Sequence, residues 1–536
     1  MSRALGLEWF VLASSLVVML VGCGANKEPD GLLHIGNRSE LQDLDPHVVT
    51  GVAEWRTLAA LYQGLVDLDP ELLAPIPGVA SSWTVSDDGR VYTFGLRPDA
   101  KWSNGDPVTA HDFAYAWQRI LSPALGAPYA YLLHCLKNGQ AYNEGAIEDF
   151  GQVGVVVVDD HTLQVTLENP TPYFLNLHTH FTWFPVHRAT IEAHGAMTDR
   201  NTGWTRPEHF VSNGAYALQD WRPDAWMEIR PNPYYWDPSA VKNRGIRFYP
   251  ISDEQTEERA YRNGTLHMTY TVPMHKVAEY RETAPAELQI HPYLGLYFYR
   301  FNIRKAPLDD VRVRRALSLA IDRESPARDV LKAGEGAAWH FVPPHTGDFT
   351  SAARVAFDVK VAQELLAEAG FPGGEGFPSL ELLYNASGAE RTIVEAVQRM
   401  WQENLGVEVT LANQDYKVYV ASMQSGDYDI ARSIWIGDVA DPVNFLELFL
   451  GGQGNNRTGW ASETYDAAIQ AAYGEADRDK RTAVLQGAEI ELLDALPMTP
   501  VYFFTQKYLM KPELTGVKFN PLGYFRWQDF QLETAE

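Results

Sequence analysis

The sequence predicts a mixed α/β protein of more than one domain, and three observations carry that expectation. The chain has 536 residues, more than a single hydrophobic core usually supports. Its 46% apolar and 21% charged content suits packed domains rather than a disordered chain. Period-two patterns dominate the first half, whereas strand and helix patterns alternate in the second.

Leu32-Leu33-His34-Ile35 reads as the first strand. Tyr92, Phe94 and Leu96 mark another, as do Leu163, Val165 and Leu167. Asp112 to Leu121 reads as a helix with Phe113, Trp117 and Ile120 on one face. Further on, Asp310 caps a helix bearing Val313, Leu317, Ala320 and Ile321. Asp358 caps a second, with Ala362, Leu365, Leu366 and Ala369, closed by Gly370 and Pro372. Then come a strand at Leu380, Leu382 and Tyr384, a helix with Ile393, Val397, Met400 and Trp401 ended by Gly406, and a strand at Val407, Val409 and Leu411. A helix ending at Gly426 and a strand from Tyr428 to Ile436 complete the run. This β-α-β-α-β order predicts parallel strands joined by right-handed crossovers. Ligands of such sheets gather at the strands' carboxyl ends, so Gly437 and Asp438, just beyond Ile436, are candidate site residues on topology alone. The other reading of Asp438 is an Asx-type turn residue in the loop to Pro442.

The apolar run from Trp9 to Val21 follows Arg3, partly offset by Glu8, and is short for a membrane span, so it reads as a secretory signal. Its end, Leu20-Val21-Gly22-Cys23, resembles the bacterial lipobox. That resemblance implies a signal peptide over 1–22, a lipid on Cys23 and a tether over 23–31; an uncleaved anchor or an ordinary signal is the alternative. Asp plus Glu number 69 against 44 Lys plus Arg, a net charge of −25, which argues against nucleic-acid binding. Of two cysteines, a lipidated Cys23 leaves Cys135 alone, a small buried hydrophobe with no disulfide partner. The 15 Trp, 26 Tyr and 23 Phe supply both core and the walls of an adaptable cavity.

Nothing in the chain argues for catalysis. No Gly-x-Ser-x-Gly elbow, His-Glu-x-x-His, phosphate loop or dinucleotide fingerprint occurs. In a strand His178-Thr179-His180 would place two rings on one face, yet it lacks a third metal ligand and reads as an ordinary surface or core pair. Asp87-Asp88-Gly89 reads as a turn, and Arg312, Arg314 and Arg315 as a solvated or acid-paired helix face. Neither a metal nor a cofactor is expected.

The run Gly78-Val79-Ala80-Ser81-Ser82-Trp83-Thr84-Val85 through Tyr92-Thr93-Phe94, continuing at Lys101-Trp102-Ser103-Asn104-Gly105-Asp106-Pro107, resembles the signature of bacterial extracytoplasmic solute-binding proteins of the peptide and nickel class. Leu44-Asp45-Pro46-His47, Asn213-Gly214-Ala215-Tyr216, Asn232-Pro233-Tyr234-Tyr235-Trp236 and Asp310-Val311-Arg312-Val313 reinforce it across the mature chain. Trp83, Phe94 and Trp102 read as packing within that signature. The likeness is strongest to oligopeptide-binding lipoproteins of ABC importers. It implies a periplasmic-binding-protein-like fold of three domains: domain I over 32–62, 200–290 and 502–536, an accessory α+β domain II over 63–199, and domain III over 291–501. Domains I and III would close over a cleft. The implied function is capture of oligopeptides by backbone and N-terminal amine, and their delivery to membrane permease subunits by an exported, lipid-anchored monomer. Rival readings are a binder of another solute such as a nickel chelate, haem or an opine, a peptide-sensing or chaperone lipoprotein, and a lipoprotein hydrolase.

The resemblance also implies a site. Asp438, after the Trp435-containing strand, would hold the peptide's amine. Thr50-Gly51-Val52 and the strand around Ser433 to Ile436 would offer unpaired edges to the peptide backbone, and Tyr129, Tyr270, Tyr293, Tyr416, Trp435 and Phe504 would wall the cleft. Two features depart from the pattern. A cysteine pair that links two cleft strands in close relatives is replaced by Gly295 and Ile436. Of the cations that receive the peptide's carboxylate, Arg432 remains, while Met423 and Glu390 stand at the other positions, which leaves the preferred ligand length open.

Overall fold

A computed structural model describes residues 31–385 and 388–533. The signal segment, most of the tether and Cys23 lie outside the described residues, as does the side chain of Glu390.

Leu33–Gly36 is the edge of a four-stranded sheet, pairing in parallel with Ile246–Tyr249, beside which Trp226–Pro231 and Tyr216–Arg222 run antiparallel. A second, antiparallel sheet is ordered Ala80–Val85, Val91–Leu96, Thr162–Thr166, Val155–Asp159. Helix Ala110–Leu121 is started by a reciprocal capping box between Thr109 and Asp112. It buries Phe113, Trp117 and Ile120 completely. The apolar faces of both sheets feed one core that holds Ile35, Phe94, Trp102, Trp117, Tyr216 and Phe248, so they form a single packed body.

The third sheet has six strands, in the order Gly336–Ala337, Met498–Leu509, Leu288–Phe301, Ile430–Ile436, Leu380–Asn385, Val409–Gln414. The last three are parallel, as their alternation with helices predicts. Of the two long strands, Leu288–Phe301 runs antiparallel to Ile430–Ile436, and Met498–Leu509 runs antiparallel to Leu288–Phe301, so the sheet is mixed. Helices Val311–Leu319 and Val359–Glu368 are capped by Asp310 and Asp358, whose carboxylates accept N–H bonds from Arg312 and Val361. The strand expected from Val407 begins at Val409, because the preceding helix runs to Leu405 and Gly406 must turn the chain at φ 70°.

Leu288–Phe301 and Met498–Leu509 connect the first body to the third sheet. Their pairing runs from Leu288 opposite Leu509 to Arg300 opposite Met498. It is broken twice, between Pro292 and Leu296 facing Phe504, and between Tyr297 and Phe298 facing Val501.

His178 and His180 are buried and lie outside any strand: His178 ends the one-turn helix Phe174–Leu177, and His180 precedes another turn. His178 is walled in by Phe94, Trp117, Phe174 and Trp183, and burial pushes its imidazole down to about 3. The described residues hold no group of three candidate metal ligands. The arginine cluster is structural: Arg312 pairs with Asp310, Arg315 with Asp494, and Arg314 donates to the carbonyls of Leu308, Asp309, Ala495 and Leu496.

Candidate functional site

Asp438 lies just past the carboxyl end of Ile430–Ile436, in a loop fixed by three contacts. Trp435 Nε1 donates to the Asn444 carbonyl at 2.8 Å, and the Asp438 N–H donates to Asn444 Oδ1 at 2.9 Å. Arg481 forks onto the Asp441 carboxylate through two bonds of 2.8 Å. Gly437 lets the strand end approach Phe445, since a Cβ there would meet the ring at 3.0 Å.

The Asp438 side chain is half-buried. Burial pushes its carboxyl up to about 6, against the opposing hydrogen bond of the Asn444 amide, and no cation is among the groups that shift it. A carboxylate this enclosed without a positive neighbour is costly. It is therefore poised to accept a cation from outside the chain. Tyr129 and Tyr131, supplied by the first body, face it: burial first and the Asp438 charge second raise both phenols, and Tyr416 adds to the effect at Tyr129.

Beside the acid the sheet has an open edge. Ile430–Ile436 pairs with Leu288–Phe301 along its whole length but with Leu380–Asn385 only at Ile430 and Ala431. Among the described residues no strand pairs with the second edge from Ser433 to Ile436. Ile434 and Tyr416 are 39% and 64% exposed, apolar surface of the kind a ligand covers. Gly295 and Ile436 are direct partners in the antiparallel register, and a Cβ on Gly295 would fall 2.6 Å from Ile436 Cδ1.

The sequence-predicted residues fall into groups. Trp435, Ile436 and Gly437 lead into Asp438, Tyr129 faces it, and Tyr416 acts on Tyr129. Tyr270, Tyr293 and Phe504 form a second group: Tyr270 sits beneath Arg38 and Arg56, at 5.5 and 5.1 Å from the ring, and burial first and the Tyr270 charge second raise the Tyr293 phenol. Phe504 packs on Tyr502 at 5.1 Å, opposite the first register break. Arg432 is buried, donates to Asn385 Oδ1 at 3.0 Å and lies 5.3 Å over the Tyr297 ring, while its carbonyl accepts from the Tyr419 hydroxyl. The edge expected over Thr50-Gly51-Val52 is shorter, because Val52 already opens helix Val52–Leu61 and only Thr50 and the extended Gly51 precede it. Sequence reasoning did not single out Tyr131, Asn444 or Glu447. The spacing of Asn444 and Glu447, i and i+3 on the short helical stretch after Asp438, was the available signal.

The profile of bacterial extracellular solute-binding proteins, family 5 Middle, matches residues 74–457. The periplasmic oligopeptide-binding protein OppA of Salmonella typhimurium is 36% identical, covering 94% of this chain and 93% of its own. Among solved structures, the Escherichia coli murein tripeptide binding protein MppA superposes with a TM-score of 0.82 at 35% identity, covering 93% of this chain and 98% of its own. Haemophilus influenzae OppA in complex with RPPGFSPFR gives 0.80 at 32% identity, covering 94% and 99%. With the fold, the cleft and these matches in agreement over nearly its full described length, the chain belongs to the family 5 bacterial extracellular solute-binding proteins, and its architecture is periplasmic-binding-protein-like.

Proposed function

We propose that this chain captures oligopeptides by their backbone and free amino terminus and delivers them to the permease of an ABC importer, with Asp438 as counter-charge to the peptide's ammonium. The observation that carries the reading is Asp438 itself, a half-buried carboxylate at a strand's carboxyl end with no cation among the groups that shift it. A hydrogen bond to a charged group contributes about 1.5 to 3 kcal/mol. Pairing along the open edge from Ser433 to Ile436 adds register without reading side chains, and water in the remaining space accommodates varied residues. The peptide-binding names of the Salmonella and Haemophilus relatives support the same assignment.

In this reading domain III, residues 291–501, closes on domain I, and the register breaks near Tyr293 and Val501 act as the hinge. Domain II, residues 63–199, moves with domain I because the two share one core. Cys23 carries the lipid that holds the exported chain at the membrane; among the described residues no helix is long and apolar enough to cross one. Titration calorimetry with a tripeptide and its N-acetylated form tests the assignment. The free amine should bind far more tightly, and equal affinity would contradict the role of Asp438 and favour another solute.

A further inference from the structure

Next to Asp438 a cavity of about 400 Å³ lies between the first body and the third lobe, bounded on one side by Tyr131, Glu168 and Tyr173 and on the other by Asn444, Glu447 and Tyr473. Its chemistry is one-sided. Two carboxylates and three tyrosines line it, together with His134, whose imidazole burial pushes down, and no lysine or arginine does. Glu447 is half-buried and accepts a hydrogen bond from the Tyr473 hydroxyl at 2.8 Å, with the Asn444 amide as a second donor. The charged groups acting on it are the acids Asp438 and Asp441, and burial pushes its carboxyl up to about 7. Arg481, the cation of this neighbourhood, is paired with Asp441 and lies 5.8 Å over the Tyr173 ring. Glu168, exposed at the rim, accepts the Asn138 N–H at 3.0 Å. An enclosed carboxylate beside aromatic faces forms a cage for a cation.

The cavity is also placed for one part of a ligand. Asn444 bonds the Asp438 N–H, and its amide lowers both the Asp438 and Glu447 carboxyls, so it sits between the two acids. Tyr131 lines the cavity and feels the charge of Asp438. A group entering here is thus adjacent to the amine bound at Asp438.

We propose that this cavity is a specificity pocket for a cationic first side chain, lysine or arginine, with Glu447 as its counter-charge and Tyr131, Tyr173 and Tyr473 as its walls. The proposal rests on the amine reading of Asp438 and adds the residue class that follows the amine. A volume of about 400 Å³ admits a long side chain together with water.

Calorimetry on the purified chain, unfolded and refolded to release carried-over ligand, tests it with Lys-Ala-Ala, norleucine-Ala-Ala, Ala-Ala-Ala and Ala-Lys-Ala. Lysine in first place should bind at least about tenfold tighter than norleucine, whose stem is similar but uncharged, and lysine in second place should show no such gain. In Glu447→Gln the ratio of lysine to norleucine should fall to within about twofold. The wild-type ratio decides the matter even if that variant does not fold. If alanine and norleucine peptides bind but lysine brings no advantage, or if the advantage survives in Glu447→Gln, the pocket assignment falls while the amine reading stands. If no free-amine peptide binds at all, both fall.

Discussion

Replacing Asp438 by asparagine should move two observables in opposite directions. In the unliganded chain burial makes this carboxyl ionise near 6 rather than at the ordinary 3.8. The folded state therefore holds a proton that the unfolded state has lost, and stability falls as pH rises from about 4 to about 6. Above that window the whole penalty of the buried charge is present. The gap corresponds to about 3 kcal/mol, and partial solvent access reduces it to roughly 2. Asparagine keeps the shape without the charge, so at about pH 7 the unliganded variant should melt about 2 to 4 °C above wild type. Near pH 4 the difference should vanish. Peptide binding should move the other way, because an ammonium left in the cleft without its counter-charge costs about 2 to 5 kcal/mol, a loss of roughly 30-fold to several thousandfold. Scanning calorimetry reads the first effect and titration calorimetry the second. A variant that melts lower and binds within about threefold of wild type would make Asp438 a structural turn residue, and the account of the site would be wrong.

Three further outcomes are expected. Arg481→Met leaves the buried Asp441 without its partner and should cost about 3 to 5 kcal/mol in urea unfolding, with weaker peptide binding because the loop from Asp438 to Pro442 loses its brace; replacing Asp441 by leucine in the same chain should restore most of that stability. Peptide should reduce the radius of gyration in small-angle scattering and raise the melting temperature, whereas an unchanged profile at calorimetric saturation would contradict hinge closure. Cys23→Ser should abolish labelling by radioactive fatty acid, and persistent label would place the attachment elsewhere.

Much of the fold was legible because local signals and tertiary structure agree. Asp310 and Asp358 cap the helices they precede, and the alternation from Leu380 to Ile436 yields the expected parallel strands. Topology alone put Asp438 at a strand end. Other features depend on partners far away in sequence. The long strands Leu288–Phe301 and Met498–Leu509 pair over some 200 residues of separation, and neither contains a pattern that announces the other. The spacing of His178 and His180 does not tell a strand from a turn, and the packing of four aromatic rings decides the position of His178. Tyr131 and Glu447 carry no local signal, since they meet in a cavity lined by two stretches of chain far apart in sequence. Arg432 illustrates the reverse: its match to a ligand-binding position says nothing of Asn385 and Tyr297, which occupy its guanidinium.

The central claim, capture of peptides through their free amine, is tested most directly by mass spectrometry of the small molecules released when the protein, purified without refolding, is denatured. The account predicts a mixture of short peptides with unblocked amino termini, absent from Asp438→Asn prepared in parallel. A single non-peptide solute, or peptides whose amino termini are blocked, would contradict it.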